Sequence, residues 1–218
     1  MAMHAGELAL LAHVPDTPPD APRADTARRD GATLARAHRA LADAADALDP
    51  RRTWPWTWAP AALTDIPMPE RVRGAGFRVL DAAERAAARG GLRLGVTHGD
   101  PNPDAFRHHP SDPGRDGLID WAATMGGPLL YDLACYAVMT RDDPLLLDRC
   151  LAGYRAHTPG LTAELVHLDT FVRLRWMCSG IWFAARAARG ILRGPRPDPD
   201  NERGIAEALR GMTERTPW

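Results

Sequence analysis

The alternation of apolar and polar residues predicts a strand and a loop at the start of the chain, followed by a helix. Residues 6–14, GELALLAHV, are typical of a strand. Residues 15–29 contain four prolines among several Asp and Arg residues, a composition that predicts an exposed loop. From Asp30 onward an alanine-rich run places its leucines on one face, which predicts a helix.

Three tryptophans interrupt the helical pattern. Trp54, Trp56 and Trp58 alternate with Pro55 and Thr57. Proline restricts its own backbone and that of the preceding residue, so we expect this segment to be extended rather than helical. The tryptophans could form the wall of a cleft for a flat or cationic ligand. Packing of an extended segment onto a helical core explains them equally well.

The rest of the chain predicts helices around a small β element. An alanine-rich helix is expected over about residues 70–89, before two glycines. Two short strands follow, at 92–98 and 117–121, with Pro, Gly and Asp residues between them that favour a hairpin-like connection. Four helical segments complete the pattern: DLACYAVM, LLLDRCLAGYRAH, an apolar segment over 163–191 and a polar helix near 202–214. The apolar segment has hydrophobic side chains on several faces and is predicted to be the central buried helix. The fold class is therefore mainly α with a small β element, α+β.

Composition and charge exclude several classes of function. With 218 residues, 45% of them hydrophobic and 25% charged, the sequence is typical of a globular protein. The formal net charge of -1 gives no electrostatic basis for binding nucleic acid or an anionic membrane. No stretch is long and apolar enough to span a bilayer. The three cysteines lack metal-ligand spacing and no basic leader is present, so we expect reduced thiols in a cytoplasmic protein.

The basic residues are all arginines. The Lys+Arg count is 27, and the sequence contains no lysine and no glutamine. Codon usage in a GC-rich genome accounts for most of this bias. Its consequence is chemical, because no Schiff base, lysine general base or lysine phosphate clamp can come from this chain.

The candidate chemistry lies in one stretch, which contains THGDPNPDAF, LIDW and GGPLLYDLA. Asp100 follows the first short strand, and Asp120 lies within the second. A loop and hairpin of this kind can bring both carboxylates into one cleft. Phosphoryl transfer uses such a pair, one to orient or accept the proton of the attacking hydroxyl and one to hold a magnesium ion. His108 and His109 lie in the connection between the strands, where we expect a solvated pair.

These motifs resemble the aminoglycoside phosphotransferase and choline kinase-like family, which has a protein-kinase-like fold. The matching elements are His98-Gly99-Asp100 with the HGD of the catalytic loop, Ile119-Asp120-Trp121 with the metal-binding element, Tyr131-Asp132-Leu133-Ala134 with the start of the next helix, and ATLARAHRAL with the first helix of the C-lobe. They occur in the family's order and cover roughly residues 5–190. The expected structure is the C-terminal lobe of such a phosphotransferase.

The resemblance implies roles for individual residues. Asp100 would be the catalytic base, His98 a buried organiser of the catalytic loop, and Asp120 a metal ligand. Asp132 would brace the loop by hydrogen bonding, although its position near a helix start also fits an N-cap. We predict substrate-binding roles for Asn102, Asp104, Trp121 and Trp56.

Three features depart from the family pattern. In HGDxxxxN the asparagine helps to hold a metal, and Ala105 stands at that position. Ala122 stands where an acidic residue usually follows the I-D-W element. The hinge-like strand begins at Gly6, so we expect a hinge-like strand and loop over 1–29 and a helical C-lobe over 30–218, without the nucleotide-clamping N-lobe. A lobe of this kind is expected to bind ATP poorly.

Three functional interpretations follow. The chain is a truncated phosphotransferase homologue that acts on a small-molecule substrate with Mg2+ and ATP, completed by a partner chain in a homo- or hetero-oligomer. Alternatively, the cleft is repurposed for carboxylate-assisted elimination or cyclisation in secondary metabolism, without these cofactors. The third interpretation is a non-catalytic, pseudokinase-like binding subunit. Retention of both aspartates favours a working cleft. An interface would involve Leu8, Leu10 and the three tryptophans, because exposed strand edges and apolar patches are usually covered.

Overall fold

The computed structural model describes residues 23–47, 55–191 and 201–214. Its helices are α1 (Arg23–Ala40), α2 (Ala59–Asp65), α3 (Glu70–Ala88), α4 (Leu130–Met139), α5 (Pro144–Ala156), α6 (Leu161–Glu164), α7 (Leu168–Ala188) and α8 (Asn201–Thr213). Its strands are β1 (Leu94–Thr97), β2 (Phe106–Arg107), β3 (Gly117–Leu118) and β4 (Met125–Pro128). The predicted strand over 6–14, with Leu8 and Leu10, lies outside the described residues, as does Trp54.

Helix α7 lies at the centre of the helical core. It packs against α3, α4 and α8, and Phe171, Leu174 and Met177 on it are fully buried. The central buried helix predicted from the apolar segment over 163–191 is therefore present. Its first residues instead form α6 and a short 3₁₀ turn, so the continuous helix begins at Leu168.

Helices α1 and α5 pack closely against each other at two glycines. A Cβ atom on Gly31 would overlap the carbonyl oxygen of Cys150, and one on Gly153 would overlap the carbonyl oxygen of Arg28. Only glycine allows the two backbones to approach this closely. Helix α1 begins at Arg23, so the loop expected up to residue 29 was wrong for its last seven residues. All four prolines of that segment precede Arg23, and the alanines and arginines after them favour a helix.

The tryptophan segment is helical rather than extended. Pro55–Thr57 form a 3₁₀ turn, and α2 follows with a proline in its first turn. Proline is tolerated there because the first N–H groups of a helix have no partner within it. Trp56 and Trp58 are partly buried and pack against the hydrophobic core. Packing is thus the observed role of these two side chains.

The four strands form two antiparallel pairs. β1 pairs with β4, with Leu94 opposite Pro128, and β2 pairs with β3, with Phe106 opposite Leu118. The prediction that the strand before Asp100 and the strand containing Asp120 are neighbours was wrong. β3 ends at Leu118, two residues before Asp120, and its partner is the short strand β2.

The described residues form a mainly helical fold with small antiparallel sheets, which confirms the predicted fold class. Among the described residues of the first sixty no strand occurs, since 23–47 and 55–60 are helical or turn. No helix in the described ranges is long and apolar enough to cross a membrane.

Candidate active site

The loop that follows β1 is fixed by one buried carboxylate. Asp132, fully buried in the first turn of α4, accepts hydrogen bonds from the backbone N–H groups of His98 at 2.7 Å and Gly99 at 2.8 Å. The residue at the N-cap position of α4 is Leu129. Asp132 therefore braces the loop, and the alternative role as an N-cap is excluded.

Asp132 also connects the loop to α1 and α5. Its Oδ2 atom lies 2.8 Å from Nε2 of His38, whose Nδ1 atom lies 2.7 Å from the hydroxyl of Tyr154. Burial raises the pKa of Tyr154, so its hydroxyl stays protonated and can donate to Nδ1. His38 then donates from Nε2 to Asp132, and every polar atom of this buried chain has a partner.

His98 joins the loop to the segment that carries Asp120. Its buried ring lies 2.8 Å from the carbonyl oxygen of Ile119 through Nε2, while Nδ1 accepts the backbone N–H of Asp100 at 3.3 Å. The ring also contacts that of Trp121, with 4.8 Å between centroids. One imidazole thus touches the backbone of Asp100 and both neighbours of Asp120, which holds the two aspartate segments side by side.

Asp120 has an unusual backbone conformation at an exposed position. Its φ of 66° and ψ of 56° lie in the left-handed region, and it is the one non-glycine residue with positive φ in the described ranges. Strained backbone conformations of this kind often occur at functional sites. Here the conformation of Asp120 changes the direction of the chain after β3. Among the described residues its carboxylate has no hydrogen-bond or ion-pair partner, so it is open to a ligand.

Asp100 forms an ion pair that the sequence did not reveal. Its Oδ1 atom accepts a hydrogen bond of 2.8 Å from Nη2 of Arg175 on α7. The carboxylate remains 45% exposed. The available signal was the presence of arginines within a largely apolar helix, because a buried charge almost always has a partner.

Of the other residues singled out in the sequence, some lie near Asp100 and Asp120 along the chain and Trp56 does not. Asn102 accepts a hydrogen bond of 2.8 Å from the backbone N–H of Asp104 and caps a 3₁₀ turn, and Asp104 is exposed. Ala105 is buried, and its carbonyl oxygen accepts the N–H of Ile119 at 2.9 Å. These residues lie on the connected segments 98–121, whereas Trp56 packs beside α2 and α3.

Comparison with known families identifies the chain. The model of the phosphotransferase enzyme family (APH) matches residues 4–165, most of the sequence. The chain belongs to this phosphotransferase family. Among curated proteins, none matches it.

Several solved kinase structures are similar to this chain. A choline/ethanolamine kinase family protein from Mesorhizobium loti is 17% identical with a TM-score of 0.65, over 88% of this chain and 63% of that one. Amicoumacin kinase hAmiN, in complex with AMP-PNP, Ca2+ and Ami, is 15% identical with a TM-score of 0.67, over 95% and 64%. Choline kinase LicA from Streptococcus pneumoniae is 18% identical with a TM-score of 0.62, over 87% and 65%. The chain thus spans less than two thirds of the length of these similar structures, which show a kinase-like fold.

The segment between β2 and β3 also makes hydrogen bonds and an ion pair with α1. Arg29 donates to both oxygens of Asp116, at 2.8 and 2.5 Å. Asp30 accepts hydrogen bonds from His108 at 2.7 Å and from the hydroxyl of Tyr136 at 2.8 Å. The expectation that His108 is solvated was wrong, because its ring is buried and hydrogen-bonds to Asp30.

A groove in this chain lies away from these motifs. It has a volume of about 520 Å³ between α3, α7 and α8, and its polar lining includes Arg78, Asp169 and Arg173. Arg173 pairs with Asp169 at 2.8 Å and donates to the carbonyl oxygen of Met212 at 3.1 Å. None of the predicted site residues lines this groove.

Replacing Gly99 by alanine is expected to destabilise the phosphotransferase fold by about 2–5 kcal/mol. Gly99 has a φ of 87°, and a Cβ atom there would overlap the carbonyl oxygen of Ala123. Gly160→Ala is a matched control, since its φ is 83° and a Cβ atom would meet nothing within 4 Å. It isolates the backbone strain, about 1–2 kcal/mol. Chemical unfolding measures both, and equal losses would show that the contact with Ala123 is unimportant.

Proposed function

We propose that this chain takes part in phosphoryl transfer from Mg-ATP to a hydroxyl group of a small metabolite. The observation that carries the proposal is the buried His98, which holds the segments of Asp100 and Asp120 side by side. These contacts use the His98 ring and the backbone of Ile119 and Asp100, so they do not engage the carboxylate of Asp100 or of Asp120. A cytoplasmic location fits the proposal, since Cys135, Cys150 and Cys178 are free thiols.

The donor set fits a magnesium ion held together with phosphates. Mg2+ prefers oxygen ligands and is usually bound by one or two carboxylates and substrate phosphates. No cluster of three His, Cys, Asp or Glu side chains occurs among the described residues, so a complete protein cage is not present there. The exposed carboxylate of Asp120 would hold the ion, which would neutralise charge on the phosphates. The similar structure of amicoumacin kinase contains AMP-PNP and Ca2+.

The chain's own residues would orient the acceptor. Oδ1 of Asp100 is bonded to Arg175, so Oδ2 would accept the proton of the attacking hydroxyl. His98 would fix the loop through its two ring nitrogens. Trp121 would form one wall of the cleft, and Asn102 and Asp104 would contact the acceptor from the neighbouring turn.

Contacts to the nucleotide phosphates would come largely from elsewhere. The chain contains no lysine, and Ala105 offers no ligand atom where an asparagine would help to hold a metal. We propose that a second protein chain supplies these contacts, since a copy of this chain would also lack lysine. Trp56 and Trp58 pack against the core, so the interface would not depend on them.

Calorimetry of the purified chain with Mg-ATP tests the proposal. We expect weak, magnesium-dependent binding that Asp120→Asn removes and that extra magnesium partly restores, because the substitution deletes a charged metal ligand. Asp148→Asn, an exposed aspartate on α5, is the control and should leave binding unchanged.

The same variants distinguish the alternatives in an assay of γ-phosphate transfer to hydroxylated small molecules. Transfer that EDTA abolishes supports the proposed function. Turnover of a substrate that is insensitive to EDTA would instead establish a repurposed cleft. Ligand binding without any turnover, unchanged in Asp100→Asn, would establish a binding subunit.

A further inference from the structure

Arg175 is a largely buried cation that donates a hydrogen bond to the proposed base, Asp100. It lies on the central helix α7, and its side chain is only 16% exposed. Nη2 donates to Oδ1 of Asp100 at 2.8 Å, and Nη1 donates to Oγ of Ser179, one turn along the helix, at 2.6 Å. The guanidinium is therefore held at two of its nitrogens, while Nε is buried with no partner among the described residues.

Among the described residues, the side chains that surround Arg175 are neutral except for Asp100, whose carboxylate balances the positive charge. Cys135, Cys178 and Tyr131 interact with it electrostatically. Burial raises the pKa of all three, so they remain neutral thiols and a neutral phenol. In the described ranges Asp100 is the one carboxylate paired with Arg175. The charge of Arg175 is thus balanced by a single group, the partly exposed carboxylate of Asp100.

The pair is asymmetric in its exposure. The side chain of Asp100 is 45% exposed, whereas that of Arg175 is 16% exposed. Because Arg175 is anchored by Ser179, it can restrict the rotation of the Asp100 carboxylate and leave one oxygen open to the acceptor. A carboxylate without this restraint would sample several orientations, and misplacement by about 1 Å can cost 10²-fold in rate.

We propose that Arg175 is the positioning residue of Asp100, fixing the orientation of its carboxylate and balancing its charge from within the core. The consequence for turnover rests on the proposed function, whereas the coupling between the two side chains does not. The pair also predicts that Asp100 contributes to folding stability, since its removal leaves a buried guanidinium without a counter-charge.

A double-mutant cycle of thermal unfolding tests the coupling without any assay of activity. Asp100→Asn and Arg175→Met are each expected to lower Tm, and the double variant should lose about 3–10 °C less than the sum of the two. Arg173→Met is the matched control, because Arg173 lies two residues away on α7 and pairs with Asp169 instead. Its effect should add to that of Asp100→Asn.

Release of phosphate from Mg-ATP, with water as the acceptor, tests the positioning. We expect Arg175→Met to lower kcat by about 10–100-fold while KM for Mg-ATP changes less than about twofold. Arg175→Lys should retain part of the rate, and millimolar guanidinium chloride should restore part of it to Arg175→Met but not to Asp100→Asn. A purely structural role would give no such rescue.

Two results would overturn the proposal. One is an additive thermal cycle for Asp100 and Arg175, and the other is a full kcat in Arg175→Met. If the wild-type chain neither binds Mg-ATP nor transfers phosphate, the proposed function fails, and the thermal cycle still decides whether Arg175 holds Asp100.

Discussion

Asparagine in place of Asp100 is expected to lower phosphoryl transfer by about 10²–10⁴-fold, the usual contribution of a general base. The amide keeps the shape of the side chain but cannot accept the proton of the attacking hydroxyl. Transfer of γ-phosphate from ATP, measured with saturating magnesium, gives the rate. Binding of Mg-ATP should change little, because the ion is assigned to Asp120.

Unfolding must be followed in the same samples, since Asp100→Asn leaves Arg175 without its carboxylate partner. The measurement is therefore made well below the Tm of the variant. Asp148→Asn controls for the loss of one surface charge. A variant of Asp100 with the full wild-type rate would show that the loop does not act as a base.

Asp132→Ala is expected to destabilise the fold by about 3–5 kcal/mol, because each buried hydrogen-bond donor left without its acceptor costs about 1–3 kcal/mol. The substitution leaves the N–H groups of His98 and Gly99 without their acceptor and removes the partner of His38. Urea or guanidinium unfolding measures the loss. Phosphoryl transfer should fall as well, because the loop that carries Asp100 would no longer be held.

Asp132→Asn is the companion variant and should lose less, since it keeps one acceptor oxygen for the loop. Asp148→Ala provides the surface control and is expected to stay within about 0.5 kcal/mol of the wild type. A loss below about 1 kcal/mol for Asp132→Ala would mean that water replaces the carboxylate and that the brace contributes little.

The order of helices could be predicted from the sequence because local periodicity determines it. The helices near 70–89 and from Tyr131 onward agree with the structure to within a few residues. Their apolar positions repeat at helical spacing, which is independent of what they pack against. There are two exceptions. The start of α1 was placed too late because the four prolines from which the loop was predicted all precede Arg23, and the tryptophan segment has a proline in the first turn of α2, where proline is tolerated.

The candidate site residues come from the sequence, since HGD, I-D-W and D-L-A are short motifs in a fixed order. Their family resemblance is confirmed by the match over residues 4–165. The roles of Asp100, His98 and Asp120 remain predictions that the proposed variants test.

The sequence by itself determined the fold class and the family, and it supplied the two aspartates as candidates, because each depends on residues close together in the chain. Only the tertiary structure decided which strands pair, that His108 is buried against Asp30, and that Arg175 reaches Asp100. The residues of that last pair are 75 positions apart, and those of His38 and Asp132 are 94 apart. Local patterns indicate that a buried charge needs a partner, but among 28 acidic residues they do not say which one. The packing of α1, α4 and α7 around the loop makes that choice, since it alone brings these distant side chains within hydrogen-bonding distance.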